Sequence, residues 1–525
     1  MQYNIADLFE CVVDTCPDRT AVVVLDIDGG RTTQTYAGLN ARANQLAGWL
    51  RKRGVGQGDH VGLHLYNGMP YLEALLALCK LRAVPININY RYVIEELAYL
   101  FADADLVGVL HEPDLADRVD GARAGLDKLT WTLASGPDYE AAVASESAEQ
   151  SFGERSGDDL YIIYTGGTTG MPKGVMWRHE DLFFAALQGG RPGGDPIERP
   201  EELAEVVGAG PEGVNIHAAA PLIHGSAQLA TWICLFSGGK LGIVGHRSFH
   251  ADLTGRLLDE EGMNVVNLVG DAMALPFVEM LESGKYKADA LVALSSAGAI
   301  LSSTTKVRLQ NALPMAMVLN NYGASETGHQ GTAITDAGGQ PRFFMHGDAT
   351  TVIGPDDKPV EPGSGVTGML ARKGNIPLGY YNDPEKTART FKTLDGVRYV
   401  MPGDFALLND DGTVTLLGRG SVCINTGGEK VYPEEVEEAL KGHDDVSDAV
   451  VVGVPDPRWG ERVTALIVCT DGADMEGIAA HVRTKVAGYK TPRQIFAVEH
   501  LNRHPSGKPD YRWSKELATQ LCADS

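Results

Sequence analysis

The stretch YTGGTTGMPKGV, residues 164–175, decides how the chain is interpreted. An apolar run at 160–163 leads into it, and its twelve residues hold four glycines, three threonines, one proline and one lysine. Glycines let the backbone turn so that successive N–H groups point at a bound anion, threonine hydroxyls add donors, and Lys173 adds charge. The stretch therefore predicts a phosphate-binding loop at the end of a buried strand. It differs from a Walker loop because Lys173 follows Pro172 and no serine or threonine comes next.

The composition is typical of a large, soluble globular protein. With 525 residues, 44% hydrophobic and 22% charged, the chain is too long for one ordinary domain and long enough for a sizeable core. No apolar run approaches the roughly 20 residues that a membrane span needs. The N-terminal stretch MQYNIADLFECVV lacks the basic segment and apolar core of a secretory signal. These features predict a protein without a membrane span.

The net charge and the cysteines indicate which partners, sites and cellular location the protein has. A net charge of −24 disfavours non-specific binding to nucleic acids, so anionic substrates would need a local cluster of donors. The seven cysteines are odd in number and never form a CxxC pair. This pattern argues against a disulfide framework and a zinc site, and it predicts a cytoplasmic location.

Two changes of pattern divide the chain. The first 110 residues alternate helical and strand patterns, which predicts a parallel sheet covered by helices. Residues 189–213 are rich in glycine, proline and acid, and they predict a surface excursion. After residue 418, about a hundred residues form a compact pattern of strands and helices. We therefore predict an α/β fold with a large layered N-terminal domain, 1–418, and a small α+β C-terminal domain, 419–525.

Four further motifs follow the phosphate loop in order. They are NNYGASETG (320–328), YVMPGDFALL (399–408), LGRGSVCINTGGEKVYPEEVE (417–437) and HPSGKPDYRW (504–513). Together the five motifs resemble those of the adenylate-forming superfamily, which contains acyl-CoA synthetases, luciferases and the adenylation domains of peptide synthetases. The similarity extends over essentially the whole chain. It implies that a carboxylic acid is converted to acyl-AMP and then to acyl-CoA, with ATP, Mg²⁺ and CoA taking part and AMP and pyrophosphate released.

The resemblance implies a role for each site residue of the first half-reaction. Lys508 would bridge the attacking carboxylate and the α-phosphate, and Glu326 with Thr165 would hold Mg²⁺. Asp404 would accept hydrogen bonds from the ribose, with Arg419 beside it. The expected ATP- and AMP-binding residues are Thr165, Gly166, Gly167, Thr168, Thr169, Gly170, Lys173, Gly298, Ala299, Tyr322 (stacked on adenine), Gly323, Ala324, Ser325, Glu326, Asp404, Arg419, Asn425 and Lys508.

For the second half-reaction, the resemblance implies a mobile C-terminal domain. It would rotate about a hinge at Ser421 and bring the glycine-rich loop to the thiol of CoA. Gly427, Gly428 and Lys430 would form this loop, and His224 would line the carboxylate end of the acyl pocket. Two residues depart from the family pattern. Ser421 stands where aspartate or lysine is usual, and Asn425 stands where a lysine is frequent.

The sequence leaves the acid open. The sequences of several segments most resemble those of actinobacterial acyl-CoA synthetases for steroid side-chain acids. The alternative substrate is a medium- or long-chain fatty acid. Residues 216–300 are apolar with many small side chains, which suits either a roomy pocket or an ordinary core. Other hypotheses are an acyl-AMP ligase that loads a carrier protein, a luciferase, and a nucleotide-sensing or scaffolding protein without catalysis. The oligomeric state also stays open, a dimer included.

Overall fold

The computed structural model describes residues 1–166, 171–210, 213–298, 301, 303–334, 342–345, 347–419, 424–431, 433–470, 472–502 and 509–524. Within these residues the chain forms three sheets flanked by helices. No helix in the described part is long and apolar enough to cross a membrane.

Seven strands form the sheet that carries the phosphate loop. Their order across the sheet is β18-β8-β7-β4-β3-β5-β6, and the strands from β7 to β6 run parallel. Their bounds are β3 His60–His64, β4 Val84–Asn87, β5 Leu106–His111, β6 Trp131–Ala134, β7 Leu160–Gly166, β8 Pro172–Arg178 and β18 Gly379–Tyr380. All five residues of β3 are buried, because helices cover both faces of a parallel sheet.

A larger, mixed sheet of fifteen strands lies beside it. Its order is β19-β20-β17-β21-β22-β15-β14-β13-β12-β11-β9-β10-β1-β2, with β16 paired to β17. The bounds are β1 Thr20–Leu25, β2 Arg31–Thr35, β9 Ile216–Ala218, β10 Leu241–Val244, β11 Val265–Leu268, β12 Ala293–Ser296, β13 Met317–Ala324, β14 Gly328–Ile334, β15 Arg342–Met345, β16 Thr350–Ile353, β17 Thr367–Lys373, β19 Phe391–Leu394, β20 Val397–Val400, β21 Asp404–Leu408 and β22 Val414–Arg419. The strands from β1 through β13 in this path run parallel, and the remainder is antiparallel.

The third sheet is built from the C-terminal residues alone. Its order is β24-β23-β26-β25, with β27 beside β26, and its bounds are β23 Ile424–Thr426, β24 Glu429–Val431, β25 Val446–Asp456, β26 Gly460–Cys469 and β27 Gln494–Ala497. Apolar residues of β25 and β26, among them Val451 and Val463, fill a small core of their own. The strands and helices predicted after residue 418 are present, while the domain boundary itself stays a prediction.

The helices connect and cover the strands. Their bounds are α1 Ile5–Thr15, α2 Tyr36–Arg51, α3 Met69–Lys80, α4 Ile94–Asp103, α5 Ala116–Ala122, α6 Pro137–Ala144, α7 His179–Ala186, α8 Glu202–Gly208, α9 Gly225–Phe236, α10 Ala251–Glu261, α11 Gly270–Glu282, α12 Ser303–Ala312, α13 Pro384–Thr390, α14 Pro433–Lys441, α15 Met475–Lys485 and α16 Tyr511–Ala523, with 3₁₀ turns at Pro113–Leu115, Gln188–Gly190 and Gly347–Ala349. Polar side chains cap the N-termini of several helices. Asn4 Oδ1, for example, accepts a hydrogen bond from the backbone N–H of Ala6 at 2.9 Å.

The prediction of a surface excursion at 189–213 is wrong in one respect. The segment contains α8, which packs on α1 and buries Leu203 and Val207. These two residues are four apart, so they lie on one face of the helix. The helical spacing of two apolar residues was not evident in the sequence, because glycines, prolines and acidic residues surround them.

Lys490 is the buried centre of a contact between α4 and the C-terminal elements. Its ammonium donates to Glu96 Oε1 at 2.6 Å and to Glu435 Oε1 at 2.7 Å, and the three side chains are at most 8% exposed. Burial raises the pKa of Glu435 to about 7, assisted by the charge of Glu96 and opposed by Lys490. The stabilising contribution of Glu435 is therefore present below its ordinary pKa and is lost as the pH rises through about 7.

Lys490→Met is expected to destabilise the protein, and more so at higher pH. Without the cation, Glu96 and Glu435 face each other, and a buried charge left without its partner costs about 3–5 kcal/mol. The measurement is the apparent melting temperature at about pH 5.5 and about pH 8. The control is Lys485→Met, which breaks the exposed pair with Glu95 and is expected to cost less than about 1 kcal/mol. Equal losses in both variants, or a loss independent of pH, would contradict this expectation.

Candidate active site

The phosphate-loop motif forms the two sides of a β-hairpin. Strands β7 and β8 pair antiparallel, with Thr165 opposite Lys173 and Gly166 opposite Pro172. Tyr161, Ile162 and Ile163, which lead into the loop, are buried, as the sequence predicts, and Leu160 is half-buried. The predicted donors Gly167, Thr168, Thr169 and Gly170 lie outside the described residues. The described ends of the hairpin therefore place Thr165 and Lys173 at the base of the loop, side by side.

Lys173 is held by two neighbours. Its Nζ lies 3.1 Å from Asp383 Oδ2 and donates to the hydroxyl of Tyr99 at 3.3 Å. Burial acts to lower the pKa of Lys173, but Asp383 and Tyr99 together raise it above the ordinary value. The lysine is therefore kept charged beside the phosphate loop.

Asn87 links the hairpin to the segment that carries His224. Its amide donates to the carbonyl oxygens of Tyr164 and Ile223, at 2.8 and 2.7 Å, and its Oδ1 accepts from Tyr164 N at 2.8 Å. The side chain is buried, so these bonds also satisfy its own polar atoms. Asn87 thus fixes the hairpin next to the segment that leads into α9.

The turn between β13 and β14 carries the predicted metal carboxylate. Glu326 accepts a hydrogen bond on Oε1 from the hydroxyl of Tyr380 at 2.8 Å. The carbonyl oxygen of Ser325 accepts from Trp177 Nε1 at 2.9 Å, and the N–H of Ala324 donates to Thr327 Oγ1 at 3.0 Å. Both Trp177 and Tyr380 belong to the sheet of the phosphate hairpin, so the turn is bonded across the gap between the two sheets.

Gly323, one of the expected nucleotide-binding residues, is also required by the backbone of the turn. A Cβ at Gly323 would lie 2.2 Å from the carbonyl oxygen of Gly328, so the turn itself requires glycine there, whatever the nucleotide requires. Tyr322, the predicted adenine platform, is half-buried and packs edge-to-face on Phe343 with 5.6 Å between ring centroids. Gly298 has a φ of +82°, and Ala299 lies outside the described residues.

The predicted ribose residues lie on neighbouring strands. Asp404 in β21 lies opposite Arg419 in β22, and Asp404 is buried. The predicted AMP ligand Asn425 lies elsewhere, in the C-terminal sheet opposite Lys430, where its N–H donates to Glu461 Oε2 at 3.1 Å. The structure therefore does not bring Asn425 to the ribose pair through any described contact.

The glycine-rich C-terminal loop reaches the large domain. Gly427 and Gly428 have φ values of +58° and +86°, which favour glycine. A Cβ at Gly428 would lie 2.4 Å from Cγ1 of Val269, the residue before α11, and one at Gly427 would lie 2.8 Å from the ring of Trp459. The loop thus fits against Val269 only because it lacks a side chain.

Glu429 follows these glycines and contacts His224 and Arg91 of the large domain. Its Oε1 lies 3.1 Å from His224 Nε2 and also accepts from the guanidinium of Arg91. Burial acts to raise the pKa of Glu429, but His224, Arg91 and Lys490 lower it to about 2. The carboxylate therefore stays charged beside His224. Two further predicted residues, Lys508 and Ser421, lie outside the described residues.

The donor set at the hairpin and turn suits a hard cation. Among the described residues no group of three or more histidine, cysteine or acidic side chains could hold a metal by itself. Glu326 offers a carboxylate and Thr165 a hydroxyl, and Mg²⁺ prefers oxygen ligands and usually shares them with substrate phosphates. These residues fit a metal that arrives with a nucleotide.

Two family models match the chain in the expected order. The model described as AMP-binding enzyme matches residues 9–381, and the model described as AMP-binding enzyme C-terminal domain matches residues 435–508. The chain belongs to the AMP-binding enzyme family. The assignment to the adenylate-forming superfamily and the fold class are therefore confirmed.

The similarity of this AMP-binding enzyme to its relatives extends over nearly its full length. A 3-oxocholest-4-en-26-oate–CoA ligase of Rhodococcus rhodochrous is 45% identical, with 100% of this chain and 97% of that protein covered. A medium/long-chain-fatty-acid–CoA/3-oxocholest-4-en-26-oate–CoA ligase of Mycobacterium tuberculosis is 44% identical over 99% and 97%. The solved amide bond synthetase of Marinactinospora thermotolerans has a TM-score of 0.80 at 23% identity, over 98% and 99%, which shows the fold alone. The names of the two sequence relatives confirm the prediction of a CoA ligase family.

Several site residues of this AMP-binding enzyme escaped the sequence analysis. They are Asn87, Arg91, Glu429, Asp383 and Tyr380. Glu429 lies within the recognised stretch 417–437, whereas Arg91 lies outside all five motifs, so nothing in the sequence connected the two charges. Asn87 and Tyr380 had no signal, because neither a lone asparagine at the end of a strand nor a pair of adjacent tyrosines indicates a distant partner.

Proposed function

We propose that this AMP-binding enzyme is an ATP-dependent acid–CoA ligase that works in two half-reactions. In the first, a carboxylate oxygen of the acid bonds to the α-phosphorus of ATP and pyrophosphate leaves. In the second, the thiol sulfur of CoA loses its proton and bonds to the acyl carbon, and AMP leaves. The observation that carries the proposal is the contact of the C-terminal loop 427–429 with His224 and Val269. That contact supports a second half-reaction in which a C-terminal loop completes the site.

The hairpin and the turn would serve the first half-reaction. Lys173 and the loop that follows Thr165 would bind the phosphates, and Asp404 with Arg419 would bind the ribose. Glu326 and Thr165 would hold Mg²⁺, which would neutralise charge on the phosphates. Lys508 would neutralise the charge that develops when two anions meet, which is the main electrostatic difficulty of this step. The metal and these roles are proposals that the family resemblance supports.

The C-terminal loop would serve the second half-reaction. In the observed arrangement Glu429 holds His224, and Gly428 packs directly against Val269, so the backbone of the loop lies beside the segment that leads into α11. Trp459 packs against Gly427, and the guanidinium groups of Arg458 and Arg493 lie 4.7 and 4.2 Å from its ring centroid. An aromatic ring with two cations suits the nucleotide portion of CoA.

The proposed acid is apolar, and a steroid side-chain acid is the first candidate. The named substrates of the relatives include 3-oxocholest-4-en-26-oate, and those of the mycobacterial relatives also include medium- and long-chain fatty acids. Part of the apolar 216–300 region is ordinary core, because Ala218, Ala220 and Ala274 are fully buried in packed clusters. Half-buried small residues next to His224, namely Gly225 and Ser226, stay available as pocket lining. A fatty acid is the second candidate, and the cytoplasmic location is a proposal from the sequence.

The test is thioester formation followed by mass spectrometry. The enzyme is incubated with ATP, Mg²⁺, CoA and a panel of steroid side-chain acids and fatty acids of graded length, and pyrophosphate is measured in parallel. We expect acyl-CoA and AMP in equal amounts, with the highest kcat/KM for a steroid side-chain acid. A preferred fatty acid would replace the first candidate by the second. Pyrophosphate release without thioester, for every acid, would instead indicate an acyl-AMP ligase that loads a carrier protein.

A further inference from the structure

The short strand β18 lies beside the phosphate hairpin. Gly379 pairs with Met176 and Tyr380 with Val175, so β18 extends the hairpin by one strand. The N–H of Tyr380 donates to Thr387 Oγ1 at 2.9 Å, which ties the strand to α13. The backbone at Tyr380 is therefore fixed on both sides.

The side chain of Tyr380 is also closely held. It is only 4% exposed, its ring packs edge-to-face on Phe391 at 6.0 Å, and the ammonium of Lys386 lies 4.3 Å from its centroid. From this position the hydroxyl donates to Glu326 Oε1 at 2.8 Å. A hydroxyl on a ring fixed by packing restrains its acceptor more than one on a mobile side chain does, because little rotamer freedom is left to lose.

The same segment reaches the phosphate-loop lysine. Asp383 caps α13 by accepting from the N–H of Lys386 at 2.9 Å, and its other carboxylate oxygen lies 3.1 Å from Nζ of Lys173. One continuous segment, residues 379–387, thus contacts a phosphate-binding lysine of one sheet and the metal carboxylate of the other.

We propose that Tyr380 is a positioning residue that orients the Glu326 carboxylate for Mg²⁺. With Oε1 accepting from Tyr380, the carboxylate cannot rotate freely, and its second oxygen is presented to the metal in a constant orientation. The hydrogen bond to a charged acceptor also lies in the stronger class of such bonds. This inference rests on the proposed function, in which Glu326 holds Mg²⁺ together with the nucleotide phosphates.

The test measures nucleotide binding by calorimetry, without acid or CoA. A non-hydrolysable ATP analogue is titrated into wild-type enzyme and into Tyr380→Phe, once with Mg²⁺ and once with EDTA. The variant keeps the packed ring and loses only the hydroxyl. We expect its affinity with Mg²⁺ to fall about tenfold, equivalent to about 1.4 kcal/mol, and its affinity in EDTA to stay within about twofold of wild type.

The matched control is Tyr381→Phe. Tyr381 is the next residue, and its hydroxyl also donates to a carboxylate, Asp105, at 3.0 Å, but that carboxylate is not part of the proposed site. We expect no change in the effect of Mg²⁺. In Glu326→Gln, adding Tyr380→Phe should cause no further loss, because the acceptor that Tyr380 orients has already lost its charge.

Three outcomes would overturn the inference. Tyr380→Phe could bind the analogue as wild type does, it could lose equal affinity in Mg²⁺ and in EDTA, or Tyr381→Phe could lose as much as Tyr380→Phe. The proposed function fails differently, by the absence of thioester and pyrophosphate in the wild-type assay. Because the binding experiment uses neither acid nor CoA, the two failures can be told apart.

Discussion

Lys508→Ala is expected to lower the rate of pyrophosphate release by about a hundredfold to a thousandfold. In the proposed first half-reaction Lys508 is the cation that lies between the attacking carboxylate and the α-phosphate, so its loss leaves developing negative charge without a partner. The second half-reaction does not need this charge. Thioester formation from a supplied acyl-adenylate should therefore stay within about threefold of wild type.

The control for Lys508→Ala is Lys515→Ala. Lys515 lies seven residues later, on α16, is 46% exposed and pairs with Glu461 at 2.7 Å. Its loss should leave both half-reactions unchanged, because an exposed ion pair contributes little. If Lys508→Ala kept normal pyrophosphate release, or if it also lost thioester formation from the acyl-adenylate, the proposed role of Lys508 would be wrong.

Gly428→Ala is expected to slow the second half-reaction and to leave the first nearly unchanged. Its new Cβ would lie 2.4 Å from Val269 Cγ1, and at a φ of +86° the backbone is unfavourable for alanine. The loop could then no longer seat against the large domain. Thioester formation from a supplied acyl-adenylate should fall by about a hundredfold, because displacement of reacting groups by about 1 Å has effects of this size. Pyrophosphate release should change little.

Two further variants separate the steric effect from the backbone cost. Gly472 has a φ of +79°, and a Cβ added there would meet no atom within 4 Å, so Gly472→Ala tests the backbone cost alone and should leave both half-reactions intact. Val269→Ala combined with Gly428→Ala removes the contact and should restore part of the thioester rate. If Gly428→Ala slowed both half-reactions equally, or if Val269→Ala gave no recovery, the loop would not act at this contact.

The local elements were accessible from the sequence. The apolar run before the phosphate loop predicts the buried strand β7, and Tyr161, Ile162 and Ile163 are at most 2% exposed. The apolar runs DAVVVGV and RVTALIV after residue 418 predict β25 and β26 for the same reason, and both strands are buried over most of their length. Motif order then indicated the family, and the resemblance implied that Arg419 lies beside Asp404, as the backbone register of β21 and β22 has it.

The contacts between distant segments were not accessible. His224 and Glu429 are 205 residues apart, and Tyr380 and Glu326 are 54 apart, so no periodicity connects them. Their contacts depend on how the two sheets and the C-terminal elements pack. Gly323 shows a related limit: its motif pointed to nucleotide approach, whereas the close passage of the Gly328 carbonyl already excludes a side chain.

The most direct test of the central claim follows one oxygen atom. The preferred acid is labelled with ¹⁸O in both carboxylate oxygens and converted with ATP, Mg²⁺ and CoA, and the products are analysed by mass spectrometry. An acyl-adenylate route places one labelled oxygen in AMP and leaves one in the thioester, because the carboxylate oxygen bonds to the α-phosphorus. Unlabelled AMP, or label in inorganic phosphate together with ADP, would contradict the account.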